Sequence, residues 1–202
     1  TSGTLSIVKE AKRRGVKVTC EVTPHHLTLT DQLVMGSFEE EKVFDPLSSL
    51  AYDTSAKVNP PLRNKADVSV MAEGLSDGTI DFIATDHAPH SSIDKMCTFQ
   101  EAAFGISVLE TALGSVLTLV QNGSITLPKL ISKLTTEPAS FLNSNLGTLQ
   151  VGKPADITIF DPNRGWYVDS SKFLSKGKNT PLNGQYLKGR VKATFLGGQK
   201  VY

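Results

Sequence analysis

Two apolar, β-branched runs each follow an amphipathic helical stretch, and each leads directly into histidines. Val16 to Val22 comes after Leu5, Val8 and Ala11 at helical spacing, with Ser2 or Thr4 to cap, basic residues in the last turn and Gly15 to stop. Ile80 to Thr85 comes after Val68, Met71, Ala72 and Leu75 on one helical face, with Asn64 or Asp67 to cap and Gly78 to stop. Helix, strand, long loop, helix, strand is the rhythm of a parallel α/β fold, which gathers working residues at the C-terminal ends of its strands. All four histidines fall there, in Thr23-Pro24-His25-His26 and Asp86-His87-Ala88-Pro89-His90.

The rest of the chain divides in two. Leu33 to Lys57 has no sustained period, carries Glu39-Glu40-Glu41 and reads as a long surface insertion. Asn59-Pro60-Pro61-Leu62-Arg63 cannot be helical, because each proline removes a donor and pushes its predecessor to extended geometry. Ile106, Leu109, Leu113, Val116, Leu117 and Val120 predict a strong helix ending near Asn122-Gly123. Thr126 before Pro128, and Thr136 or Glu137 before Pro138, open two more. After Leu146 the pattern turns to strands: Leu149 to Val151, Ala155 to Phe160, Leu187 to Leu196 and Gln199 to Tyr202, with Gly197-Gly198 as a hairpin turn. A boundary near residue 147 separates an α/β part, 1–146, from a small β part, 147–202.

Composition excludes some partners. With 21 basic against 20 acidic residues, a net charge of +1 and no strong block of either sign, the electrostatic footprint of a nucleic-acid or anionic-membrane binder is absent. No apolar run approaches the roughly 18 residues of a membrane span. Two cysteines outside any close spacing, Cys20 and Cys97, suit a reducing compartment, so a cytoplasmic location is expected. No spacing makes Cys97 a nucleophile.

Asp86 leaves an apolar strand, so its carboxylate is expected to emerge at a sheet mouth in low dielectric and to need a cation, a donor or a proton. A metal ion would meet that need and lower the pKa of a bound water to about 7. Backbone hydrogen bonds in a tight turn would meet it equally well. The spacing does not choose between them.

Taken in order, Cys20-Glu21-Val22-Thr23-Pro24-His25-His26-Leu27, Asn59-Pro60-Pro61-Leu62-Arg63, Asp86-His87-Ala88-Pro89-His90 and Phe104-Gly105 resemble the dihydroorotases. Gly152-Lys153-Pro154-Ala155-Asp156-Ile157-Thr158-Ile159-Phe160 resembles the return into the small β-domain of the amidohydrolase superfamily, and Lys176-Gly177-Lys178-Asn179-Thr180-Pro181 is similar to bacterial-type members. The resemblance implies an α/β fold: the C-terminal part of a (β/α)8 barrel plus part of a β-sandwich. It implies a zinc-dependent cyclic amidohydrolase interconverting N-carbamoyl-aspartate and dihydroorotate in pyrimidine biosynthesis. Asp86 would bind one ion of a binuclear zinc site and act as general acid/base, while Asn59, His90, Phe104 and Gly105 would contact substrate. His25, His26, His87 and Arg63 receive no role, and the three histidines rank as structural supports ahead of ligands.

The family also uses an H-x-H pair, a bridging lysine carboxylate or aspartate, and two single histidines, and none of these is found here. With two good barrel strands where about 250 residues and eight strands are usual, the expectation is a C-terminal portion, inactive alone, whose missing N-terminal portion is its first partner. A homo-oligomer and a transcarbamoylase are the other partners the resemblance brings in. The rival readings are another cyclic amidohydrolase, allantoinase or dihydropyrimidinase, and a non-catalytic scaffold subunit of a transcarbamoylase.

Overall fold

The computed structural model describes residues 1–35 and 51–202. The acidic run Glu39-Glu40-Glu41 and most of the expected insertion lie outside the described residues. Helix α1 (Ser2–Arg13) is capped by Thr1, whose Oγ1 accepts the Thr4 N–H, one residue before the expected Ser2 and three before Thr4. Strand β1 (Glu21–Val22) occupies only the end of the expected Val16 to Val22 run. A strand needs a neighbour, and β2 (Phe82–Ile83) lies alongside only there, with Glu21 opposite Phe82 and Val22 opposite Ile83 in a parallel ladder. Asp81 N–H and Ala84 N–H extend it by donating to the carbonyls of Cys20 and Val22.

Between the two strands the chain forms α2 (Pro24–Thr28), α3 (Gln32–Met35) and α4 (Lys65–Asp77). Asn64 caps α4 through the Asp67 N–H, and Gly78 ends it in left-handed geometry, as the sequence predicts. The flanks of the expected insertion are not solvated. Leu33, Ala56 and Val58 are buried with Leu62, Ile106, Val108 and Ala112 in a core of their own.

After β2 come a short helix α5 (Ser92–Lys95), then α6 (Ala112–Gln121), α7 (Leu127–Leu134) and α8 (Thr136–Phe141). The predicted helix from Ile106 begins six residues late. Ile106 instead forms a parallel bridge with His87, so a third extended segment follows the first two. The main core joins Leu5, Val22, Leu27, Leu75, Ile80, Ile83, Val116, Leu117 and Leu130, stitching α1, α2, α4, α6 and α7 to both strands.

The C-terminal part is one antiparallel sheet, β3 (Ile157–Tyr167), β4 (Tyr186–Leu196) and β5 (Gln199–Lys200), in that order. Gly197 and Gly198 turn β4 into β5 with φ of +56° and +82°, the double positive φ that a tight hairpin demands. Leu149 to Val151 is not a strand. Both apolar residues there are exposed and find no partner strand. β3 is longer than expected because it continues past a register shift between Asp161 and Gly165.

Beneath the parallel strands lies a buried cation. Lys133, 2% exposed, donates from Nζ to the carbonyls of Ile80 (2.8 Å) and Asp81 (2.9 Å) and to Glu137 Oε2 (2.8 Å). Lys133→Met would strand those two carbonyls and should cost about 2–4 kcal/mol. Urea unfolding should show a lower midpoint with an unchanged slope; a midpoint equal to the parent's would mean these bonds carry no net stability.

Candidate functional site

The chain leaving β1 does not simply end a strand. Thr23 accepts the His26 N–H (3.2 Å) and Pro24 takes the first helical position, so the histidine pair sits in the first turn of α2. His25 is 3% exposed, and neither ring nitrogen has a partner among the described residues. Burial, reinforced by the adjacent His26 ring at 4.6 Å, lowers its pKa from 6.5 to about 3. His26 is fully engaged: Nε2 lies 2.9 Å from the Pro60 carbonyl, which can only accept, so Nδ1 accepts from the Thr23 hydroxyl at 2.7 Å. His26 thereby fixes the Pro60-Pro61 peptide, one residue beyond Asn59. Burial lowers its pKa too, opposed by the Pro60 carbonyl and by the charge of Asp86.

Beyond β2, Asp86 takes φ of +49° and is exposed. The expected low-dielectric carboxylate is therefore not seen within this chain, and no backbone N–H among the described residues bonds it. The strand stops three residues earlier, leaving the side chain at an open rim. His87 Nδ1 accepts the N–H groups of Val108 (3.0 Å) and Leu109 (3.2 Å), which makes Nε2 the protonated nitrogen, 3.5 Å from Ser175 Oγ. His87 is thus a splice to the third extended segment. His90 donates from Nε2 to the Phe104 carbonyl at 2.8 Å, leaving Nδ1 uncommitted.

Phe104 is exposed, and Gly105 is buried at φ of +138°. A Cβ on Gly105 would stand 2.4 Å from that of Ala88 and 3.1 Å from His90 Nε2, so only glycine permits this approach. The Gly105 N–H donates to the Lys57 carbonyl (2.9 Å), two residues before the exposed Asn59. His90, Phe104 and Gly105 are therefore tied to one another and to Lys57, and Asn59 joins them along the chain, two residues past Lys57.

Two lysines that sequence reasoning missed hold this rim. Lys57 donates to the Gln100 carbonyl (2.8 Å) with its ammonium 4.4 Å from the Phe104 ring centroid. Lys95 donates to the carbonyls of Thr54 (2.9 Å) and Ala103 (2.7 Å), and burial lowers its pKa to about 8. A lysine between Ala56 and Val58 in a buried run was the signal available for the first. Arg63 is exposed with its backbone carbonyl accepting from Asp31, and Cys97 Sγ contacts the Asp94 carbonyl at 3.6 Å. A broad cleft of about 1220 Å³ runs between α2, α4, α6 and residues 181–187, and none of the candidate site residues lines it.

Among the described residues no three of His, Cys, Asp and Glu come close enough to hold a metal ion. Asp86 offers one oxygen donor set, and both nearby His26 nitrogens are already bonded. These residues alone do not fit a metal centre.

A model of the amidohydrolase family matches residues 2–201. Over its whole length the chain is 48% identical to a dihydroorotase of Geobacter metallireducens and 49% to one of Pelotomaculum thermopropionicum, spanning 44% of each. It spans less than half the length of the curated relatives it matches and aligns with their C-terminal part. Among solved structures it superposes on an L-hydantoinase (dihydropyrimidinase) of Arthrobacter aurescens with a TM-score of 0.86 at 28% identity, covering 100% of this chain and 43% of that one. A dihydropyrimidinase of Brevibacillus agri gives 0.81 at 23% over 98% and 42%, a likeness of fold. No helix among the described residues is long and apolar enough to cross a membrane.

The depressed His25 pKa has a signed consequence. Between pH 6.5 and about 3 the unfolded chain binds a proton that the folded chain refuses, so His25 contributes stability that is complete above pH 6.5 and is lost on acidification. The slope should approach about 1.4 kcal/mol per pH unit inside that window. Urea unfolding across pH 4–7 should show a flatter pH dependence for His25→Leu; parallel profiles would assign the acid sensitivity elsewhere.

Proposed function

The chain belongs to the amidohydrolase family, and from that membership we propose that the protein carrying it is a dihydroorotase, acting reversibly between dihydroorotate and N-carbamoyl-aspartate. The observation that carries this reading is the whole-chain identity of 46–49% to dihydroorotases. The geometry supports it by joining His90, Phe104 and Gly105 to Lys57, two residues before Asn59. Structural likeness to hydantoinases at 28% identity and below speaks to the fold.

In this proposal β1, β2 and the Ile106 segment are strands of a (β/α)8 barrel within residues 1–146, and residues 147–202 belong to a small β-domain. Family membership implies a metal cofactor. Zinc is our choice, with Asp86 giving one ligand and the other donors lying outside the described residues. Such a metal supplies Lewis acidity and a more acidic water.

The residues of this chain then do the following. Asp86, uncommitted and exposed at the end of β2, takes the proton as the water oxygen attacks the ring amide carbonyl. When the ring C–N bond breaks, Asp86 returns that proton to the departing nitrogen, so the carboxylate is regenerated. His90 presents Nδ1: with Nε2 held by Phe104, a neutral ring accepts a substrate N–H, and a cationic ring donates to the substrate carboxylate. Asn59 addresses the ring amides, and the Phe104-Gly105 backbone lies against the ring.

In the intact enzyme, Asp86→Ala should lower kcat for dihydroorotate by about 10²–10⁴-fold while circular dichroism stays unchanged; near-parental turnover would end the assigned role. His90→Ala should raise KM roughly tenfold with a smaller change in kcat, and unchanged values for both would remove it from the pocket. Turnover of allantoin or hydantoin with none of dihydroorotate would overturn the substrate assignment.

A further inference from the structure

We propose that Asn179 is a positioning residue for the substrate rim, a single buried amide that locks the loop after β2 to the Phe104-Gly105 segment. This rests on the reading of His90 and Gly105 as substrate contacts. Asn179 lies in the stretch Lys176-Gly177-Lys178-Asn179-Thr180-Pro181, beyond the boundary near residue 147, and is 8% exposed.

Both donors of its side chain and one lone pair of its Oδ1 are used. Oδ1 accepts the His90 N–H at 2.8 Å, and Nδ2 donates to the carbonyls of Ala88 (3.2 Å) and Gly105 (3.0 Å). The orientation of the amide follows from its partners, since one faces it as a donor and two as acceptors. Its own carbonyl accepts the Ser107 N–H at 2.8 Å. With both amide donors committed and the residue 8% exposed, Asn179 acts through the backbone it holds.

Those backbone groups have no regular alternative. Residues 88–90 and 103–105 are neither helix nor ladder apart from the bridge of His87 to Ile106, so losing Asn179 would leave three peptide groups, two part-buried and that of Gly105 buried, to find water or move. Gly177 brings the stretch into contact: a Cβ there would stand 2.6 Å from the His90 nitrogen and 2.7 Å from its oxygen. His90 in turn bonds Phe104 from its ring, so a shift of either loop misaims the same imidazole. Small displacements of a binding group are costly because contacts with substrate are made at hydrogen-bond distance.

The test uses the intact enzyme with Asn179→Asp, which keeps the acceptor and replaces two donors by a carboxylate facing two carbonyls, and Asn179→Leu, which removes all three bonds. Two readouts separate positioning from mere support: steady-state kinetics with dihydroorotate, and peptide-resolved hydrogen exchange over 86–91 and 103–107. We expect KM to rise roughly tenfold in both variants, faster exchange in both peptides, and no further rise in KM when Asn179→Leu is combined with His90→Ala. An unchanged KM, or unchanged exchange in the two peptides, would overturn the proposal even if the melting temperature fell. If Asn179→Leu does not fold, Asn179→Asp decides by the same criteria. Failure of the parent enzyme to turn over dihydroorotate would instead defeat the substrate reading, and hydrogen exchange alone would then decide whether Asn179 holds the two loops.

Discussion

Backbone that leaves a strand without entering a helix or a second ladder carries peptide groups that must still be bonded once water is excluded. That constraint governs the whole region after β2. Its N–H and C=O groups are taken up one by one by side chains from far along the chain: His87 serves Val108 and Leu109, Lys95 serves Thr54 and Ala103, Lys57 serves Gln100, and Asn179 serves Ala88, His90 and Gly105. Residues able to do this are polar and buried, which is why several are of types common at catalytic centres while their role here is to hold main chain.

Two of these servants are lysines, and their choice is physical. An ammonium has several donors on a long flexible stem, so it can bridge carbonyls that diverge, at the cost of desolvating a charge. Carbonyl dipoles compensate in part, and the lowered pKa of Lys95 records what they leave uncompensated. The same solution recurs beneath the strands, where Lys133 bonds the carbonyls of Ile80 and Asp81, and Lys12 bonds the Thr79 carbonyl as well as the Asp81 carboxylate.

Much of this was legible in the sequence, and the failures have identifiable causes. Capping and termination signals gave α4 to within a residue, because Asn64 and Gly78 act locally. The pair Gly197-Gly198 gave the hairpin for the same reason. The stretch from Ile106 to Val108 fitted the helical period, but a parallel partner 19 residues upstream at His87 outweighed it, and pairing of that range leaves no mark in periodicity. Leu149 to Val151 had strand composition and no neighbour. At Thr23-Pro24 the signal was present, a capping residue before a proline at the first helical position, and it marks a helix where the β-branched run before it suggested a strand end. At the site, residue types were readable from motifs. Which ring nitrogen of His26, His87 or His90 is committed, and to what, depends on contacts 14 to 34 residues apart and could only come from the fold.

The separation of 89 positions between His90 and Asn179 also sets an order of events. As the chain is synthesised, the loop after β2 emerges long before the amide that fastens it, so the α/β part can collapse around its apolar core while its rim is still unfastened. Completion of the rim waits for a segment close to the C-terminal sheet. A nascent chain is thereby kept from completing this rim until nearly all of this stretch has been made, and contacts of such long range are the slow ones in folding.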